Sequence, residues 1–180
     1  MFSIDKINWL VGIVEGEGCL SLVSGGKHNF FNLTIAITNT DLLILSECKK
    51  IIDSITNSNC KIREHSDERQ RRCYKLVVEG QEVIKKLLDA ITPLIIGNKR
   101  PQAELMLQFV NRRLTLRNGK KKSPKYTEED KKYLYAMKSL KNIIEPVETV
   151  RFLSHRDKDT VRALAIKETN EFGRNDQTLN

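Results

Sequence analysis

The sequence holds four cysteines, Cys19, Cys48, Cys60 and Cys73, and no two of them form a CxxC pair. Its three histidines, His28, His65 and His155, lie far from one another. A structural zinc site needs clustered thiolate and imidazole ligands, so none is expected, and the thiols are expected to be reduced. No apolar run reaches the roughly 18 residues needed to cross a bilayer, and no membrane partner is expected. The start, Met1 to Trp9, has no basic stretch followed by an apolar one, so no secretory signal is expected. These absences point to a soluble, intracellular protein and favour no particular compartment.

What the chain does have is charge of one sign in excess. Across 180 residues, 31 Lys and Arg stand against 23 Asp and Glu, a net +8, and 39% of the residues are hydrophobic. The apolar share suits a globular domain with a core. The basic excess suits a polyanion, because Lys and Arg gain affinity by releasing counterions from phosphates.

Periodicity divides the chain into elements. Ser3 or Asp5 can cap a helix running through Val14. Residues 19–24 and 31–38 then alternate: Leu20 and Leu22 oppose Ser21 and Val23, and Leu33, Ile35 and Ile37 oppose Asn32, Thr34, Ala36 and Thr38. Gly25-Gly26 begins a loop between them, which predicts an antiparallel hairpin. Asp41 can cap a helix carrying Leu42, Leu45, Cys48, Ile51 and Ile52. A second alternating pair has Ile62 between Lys61 and Arg63, then Tyr74, Leu76 and Val78 facing away from Cys73, Lys75 and Val77. The polar loop from Ser66 to Arg72 joins its arms. Helical spacing returns at Val83, Ile84, Leu87, Leu88 and Ile91, and again at Leu105, Leu107, Phe109 and Leu114. The fold class is therefore α+β, with the order αββαββα over residues 1–118 and helices after it. Residues 119–145 read as a basic linker, Gly119 to Pro124, followed by a helix capped by Thr127 and Asp130. Residues 146–180 read as a C-terminal extension, with a further helix possible from Asp157 to Glu171.

The first helix breaks local rules. On a helical wheel Ile4, Ile7, Leu10, Val11 and Val14 make one apolar face, and Trp9, Gly12, Ile13 and Gly16 make a second. A short helix apolar on two sides must be covered by two bodies. Gly12 and Gly16, four apart, would let another backbone come close. Glu15 and Glu17 lie at the C-terminal end, where the helix dipole disfavours carboxylates by several tenths of a kcal/mol. Something cationic should answer them, and a divalent metal, which prefers oxygen ligands, would do so.

The stretch Leu10-Val11-Gly12-Ile13-Val14-Glu15-Gly16-Glu17-Gly18 resembles the nine-residue motif of the LAGLIDADG homing endonucleases. With the αββαββα order around it, the resemblance covers roughly residues 3 to 115. It implies an antiparallel sheet that forms a DNA-binding saddle, and a site-specific, metal-dependent cut in both strands of DNA. A single copy of the motif implies a homodimer, with Trp9, Gly12, Ile13 and Gly16 at the interface. It implies that Glu17 is the catalytic metal-binding carboxylate, a Glu where many members carry Asp. Gly16 would add its backbone carbonyl, and Mg2+ or Mn2+ would be the ion. Glu15 would cap and position the turn. Asn39 and Lys99 match the family's accessory catalytic positions, and no residue is carried over to its second basic position, near Leu43.

If the alternating leucines and isoleucines are core, the opposite sheet face carries Ser21, Asn32, Thr34, Lys61, Arg63, His65, Arg71 and Lys75, a ribbon that fits the major groove. Lys27, His28, Asn29, Arg69, Gln70 and Arg72 lie in loops that extend it. Arg112, Arg113, Arg117 and Lys120 to Lys122 are expected to touch phosphate. The leading expectation is an intron-encoded homing endonuclease acting on double-stranded DNA. The alternatives are an intron maturase binding RNA with the same fold, and a DNA-binding module without catalysis.

Overall fold

The computed structural model describes residues 3–25, 30–65, 72–118 and 124–144. The expected Asp157–Glu171 helix lies outside them.

Helix α1, Ile4–Glu17, buries Leu10, Val11 and Val14. It runs three residues beyond the expected end at Val14, so both acids of the motif belong to its last turn. Ile4 was expected on the buried face but is 60% exposed. It opens the helix, a turn and a half before the first buried residue. Strand β1, Gly18–Gly25, follows without a loop, and β2, Phe30–Asn39, pairs with it antiparallel from Gly18 opposite Ile37 to Gly25 opposite Phe30.

Helix α2, Leu42–Thr56, is capped as its sequence suggests, with the Asp41 carboxylate accepting from the Leu43 N–H at 2.7 Å. It ends on Asn57 in the left-handed conformation at φ 54°, which asparagine tolerates better than most residues. Strands β3, Lys61–His65, and β4, Cys73–Glu79, form the second hairpin. The sheet order is β1-β2-β4-β3, all antiparallel.

Helix α3, Gln81–Ile91, ends in a 3-10 turn, Thr92–Leu94, and α4, Arg100–Arg117, and α5, Glu128–Ile144, follow. One face of the sheet packs Leu20, Leu22, Leu33, Ile35, Ile37, Leu76 and Val78 into a core shared with α1, α2, α3, α4 and α5. The alternation read from the sequence thus sorts the sheet correctly, with Tyr74 only partly buried.

The chain divides into two compact units, residues 1–140 and 141–180. The first includes most of α5, whose Leu134 and Met137 join the core. Of the second, residues 141–144 complete α5.

The buried stripe of α4 differs from expectation. Gln102, Ala103, Met106, Phe109, Val110 and Arg113 are buried, while Leu105, Leu107 and Leu114 are only partly so. Arg113, expected on phosphate, is 1% exposed, and its Nη1 lies 3.0 Å from the equally enclosed Asp130 carboxylate. Its guanidinium also donates to the carbonyls of Pro124, at 2.5 Å, and Lys125, and it lies 4.2 Å from the centre of the Tyr126 ring. Tyr126 in turn stacks on Phe31 at 4.5 Å. A buried guanidinium must be paired, and here a carboxylate, two carbonyls and a ring engage its two terminal nitrogens and its face, while Nε has no partner among the described residues. Asp130 also accepts from the Thr127 N–H at 2.7 Å, completing the expected cap of α5.

Candidate active site

The end of α1 is held from the segment between α3 and α4. Lys99 donates from Nζ to the carbonyls of Val14 at 3.0 Å and Glu15 at 2.7 Å. A cation among the last carbonyls of a helix is favoured by the dipole and satisfies acceptors the helix cannot use itself. The Glu15 side chain accepts from the backbone N–H groups of the same segment, Ile96 at 3.2 Å and Gly97 at 2.5 Å. A Cβ on Gly97 would lie 2.6 Å from that carboxylate oxygen, so glycine lets the loop come this close.

Glu17 is exposed. The next residue, Gly18, starts β1 opposite Ile37, which sets Glu17 at the end of the sheet, just before the polar alternation begins at Cys19. The structure therefore brings Gly16, Glu17 and Lys99 to one helix end. Asn39 comes near the same end, two residues past Ile37. Its side-chain oxygen accepts from the Asp41 N–H at 2.8 Å and so shapes the turn into α2.

Gly12 and Gly16 are exposed, and a Cβ built on either meets nothing within 4 Å. Trp9, 40% exposed, and the half-buried Ile13 flank them. A strip of α1 with no side chains is therefore open beside the two acids. Gly18 is the opposite case, since a Cβ there would sit 2.4 Å from the Val14 carbonyl oxygen. The structure shows no group of three or more His, Cys, Asp or Glu able to hold a metal among the described residues. The exposed Glu17 offers a carboxylate at this end, a donor type that suits a hard cation.

The outer face of the sheet is polar. Cross-strand partners share a face, so Ser21 with Thr34, Thr34 with Glu79, Thr38 with Lys75, Lys75 with Arg63, and Val77 with Lys61 all lie on it. A concavity of about 320 Å³ is lined there by Asn32, Thr34, Arg63, His65, Lys75 and Glu79, among others. Glu79 was not singled out by the sequence reading, although its even spacing from Lys75 and Val77 placed it on this face.

Arg72 differs from Arg63 and Lys75. Its guanidinium makes a bidentate pair with Glu64, at 2.6 and 2.9 Å, and Glu64 faces Tyr74 across the hairpin, on the core-side parity. Each holds the other charged: the Arg72 hydrogen bond keeps the Glu64 carboxyl below its ordinary pKa, and Glu64 raises that of Arg72. Lys27, His28, Asn29, Arg69, Gln70, Arg71 and Lys120 to Lys122 lie outside the described residues. Arg112 and Arg117 pair with Asp130 and Glu82.

No family model and no curated protein matches the sequence. Solved structures do match. The homing endonuclease I-CvuI, in complex with the I-CreI target in the presence of Mg, aligns with a TM-score of 0.50 at 19% identity over 75% of this chain and 94% of that one. The archaeal intron-encoded homing endonuclease I-Vdi141I, complexed with DNA, aligns with a TM-score of 0.50 at 18% identity, over 76% and 97%. At these identities the likeness is one of fold, and the fold is that of the homing endonucleases, as the LAGLIDADG-like segment implied.

Proposed function

We propose that this chain is a site-specific DNA endonuclease that acts as a homodimer with Mg2+ or Mn2+ and is encoded within an intron. The observation that carries the reading is the exposed Glu17 at a helix end held by Lys99, beside the open strip at Gly12 and Gly16. The described residues of one copy offer no cluster of side chains that could hold a metal. Two copies of α1 packed along the open strips would bring two Glu17 carboxylates together on the two-fold axis.

Glu17 and the Gly16 carbonyl would hold the ion, which would supply an activated water and offset charge on the phosphate. Lys99 fixes the direction in which the chain leaves α1 and adds positive potential beside it. Glu15 is occupied with the 96–97 loop, so its part is to hold that loop against the helix. Asn39 sets the turn bordering the same end. The outer sheet face, with Ser21, Asn32, Thr34, Lys61, Arg63, His65 and Lys75, presents donors and acceptors to the major groove. Two homing endonucleases that share the fold, I-CvuI and I-Vdi141I, were solved with DNA, which supports the same substrate.

The test is incubation with duplex DNA carrying the intronless junction of the host gene, with and without Mg2+. Wild type should cut only with the ion, and Glu17→Gln should bind but not cut. Equal cutting by both proteins, or none by wild type, would overturn the enzyme reading. Binding of intron RNA with stimulated splicing, in place of cutting, would move the assignment to a maturase.

A further inference from the structure

A surface that faces a polyanion should not carry an unpaired acid, yet the outer sheet face does. Glu79, the last residue of β4, is exposed and pairs in register with Thr34, which pairs with Ser21. The three form a row across β4, β2 and β1. Glu79 lines the concavity that also holds Arg63, Lys75, Asn32 and His65, and it borders a second one of about 240 Å³ with Lys61 and Ser58. Among the described residues it makes no ion pair with any of these bases, whereas Glu64 on the other parity is fully engaged by Arg72.

Against phosphate such a carboxylate is repelled. In the groove the argument reverses. An ionised carboxylate only accepts hydrogen bonds, so it needs a base edge that donates. Guanine O6 and N7 and thymine O4 are acceptors and offer nothing. Cytosine presents its N4 amino group with only C5–H beside it. Adenine presents an N6 amino group flanked by the N7 acceptor, which repels the second carboxylate oxygen. The row neighbours Thr34 and Ser21 both donate and accept, so they leave this choice to Glu79.

We infer that Glu79 is a specificity-determining residue selecting cytosine at one position in each half of the DNA target, an inference that rests on the DNA-binding reading above. The test is selection by the full chain from a fully randomised duplex library, for wild type and for Glu79→Gln. Wild type should enrich cytosine at one position per half-site. In Glu79→Gln that preference should fall about tenfold and adenine should rise there, since a carboxamide suits the adenine N6/N7 pair. Preferences at the other positions should stay.

Identical base profiles for the two proteins would overturn the assignment while leaving the DNA reading intact. A variant that gains affinity equally for every sequence, with a steeper salt dependence, would also overturn it, because the carboxylate would then face phosphate. Enrichment of no sequence by wild type would fail the DNA reading itself, and this inference with it.

Discussion

At Gly18 the helix turns into a strand with no room for a methyl group. The backbone there is ordinary, at φ −78°, so the demand is for space beside the Val14 carbonyl rather than for an unusual conformation. Two residues earlier the demand vanishes, because Gly16 faces open space. Lys99 holds this junction from outside through the Val14 and Glu15 carbonyls. Lys99→Met keeps the length of the side chain and removes its donors. It should lower stability by about 1–2 kcal/mol in urea denaturation and reduce cleavage more than DNA affinity. Unchanged cleavage would show that the clamp has no bearing on Glu17. Two acids at a helix C-terminus read as a demand for a cation, for which the sequence suggested a divalent metal. That Lys99 would reach the Val14 and Glu15 carbonyls was not legible, because the contact joins distant segments. The Glu15 bonds to Ile96 and Gly97 span some eighty residues, and no local pattern reports such a contact.

Helices α4 and α5 show where charge misleads. Arginine in a polar segment reads as surface, and the leucines at 105, 107 and 114 suggested a core stripe. Of the expected stripe only Phe109 is fully buried; it is joined by Met106, Val110 and Arg113, the last because Asp130 and the 124–125 carbonyls make a polar niche for the guanidinium. Only the Thr127–Asp130 cap could be read locally. Asp130→Asn leaves a guanidinium buried without its counter-charge, and should cost about 3–5 kcal/mol by chemical denaturation. The double variant with Arg113→Met should lose less than the sum of the two single losses. A loss under about 1 kcal/mol for Asp130→Asn would mean that water reaches the pair. By contrast, the strands were readable nearly to the residue, since a half-buried antiparallel sheet imposes a period of two that few other structures share.

For the molecule as a whole, the open strip of α1 sets the oligomeric prediction. Gly12→Gln places a helix-favouring polar side chain where the isolated chain has nothing within 4 Å. Within a single chain it should therefore cost no stability, and helix propensity alone favours it by up to about 1 kcal/mol. In equilibrium sedimentation it should shift dimer to monomer, and cleavage should fall with it. A variant that stays dimeric would place the two-fold axis elsewhere.

The register of the sheet has a consequence for how such a protein can change over generations. In the middle of β2 and β4 the residues that face outward are bracketed by residues buried in the core, such as Ile35 and Ile37 around Ala36, or Leu76 and Val78 around Val77. Gain or loss of one residue within either strand would turn the core outward and the reading surface inward. Drift toward a new target must then proceed by exchange of one side chain for another along these central strands, and variation in length is open only to the connections between them.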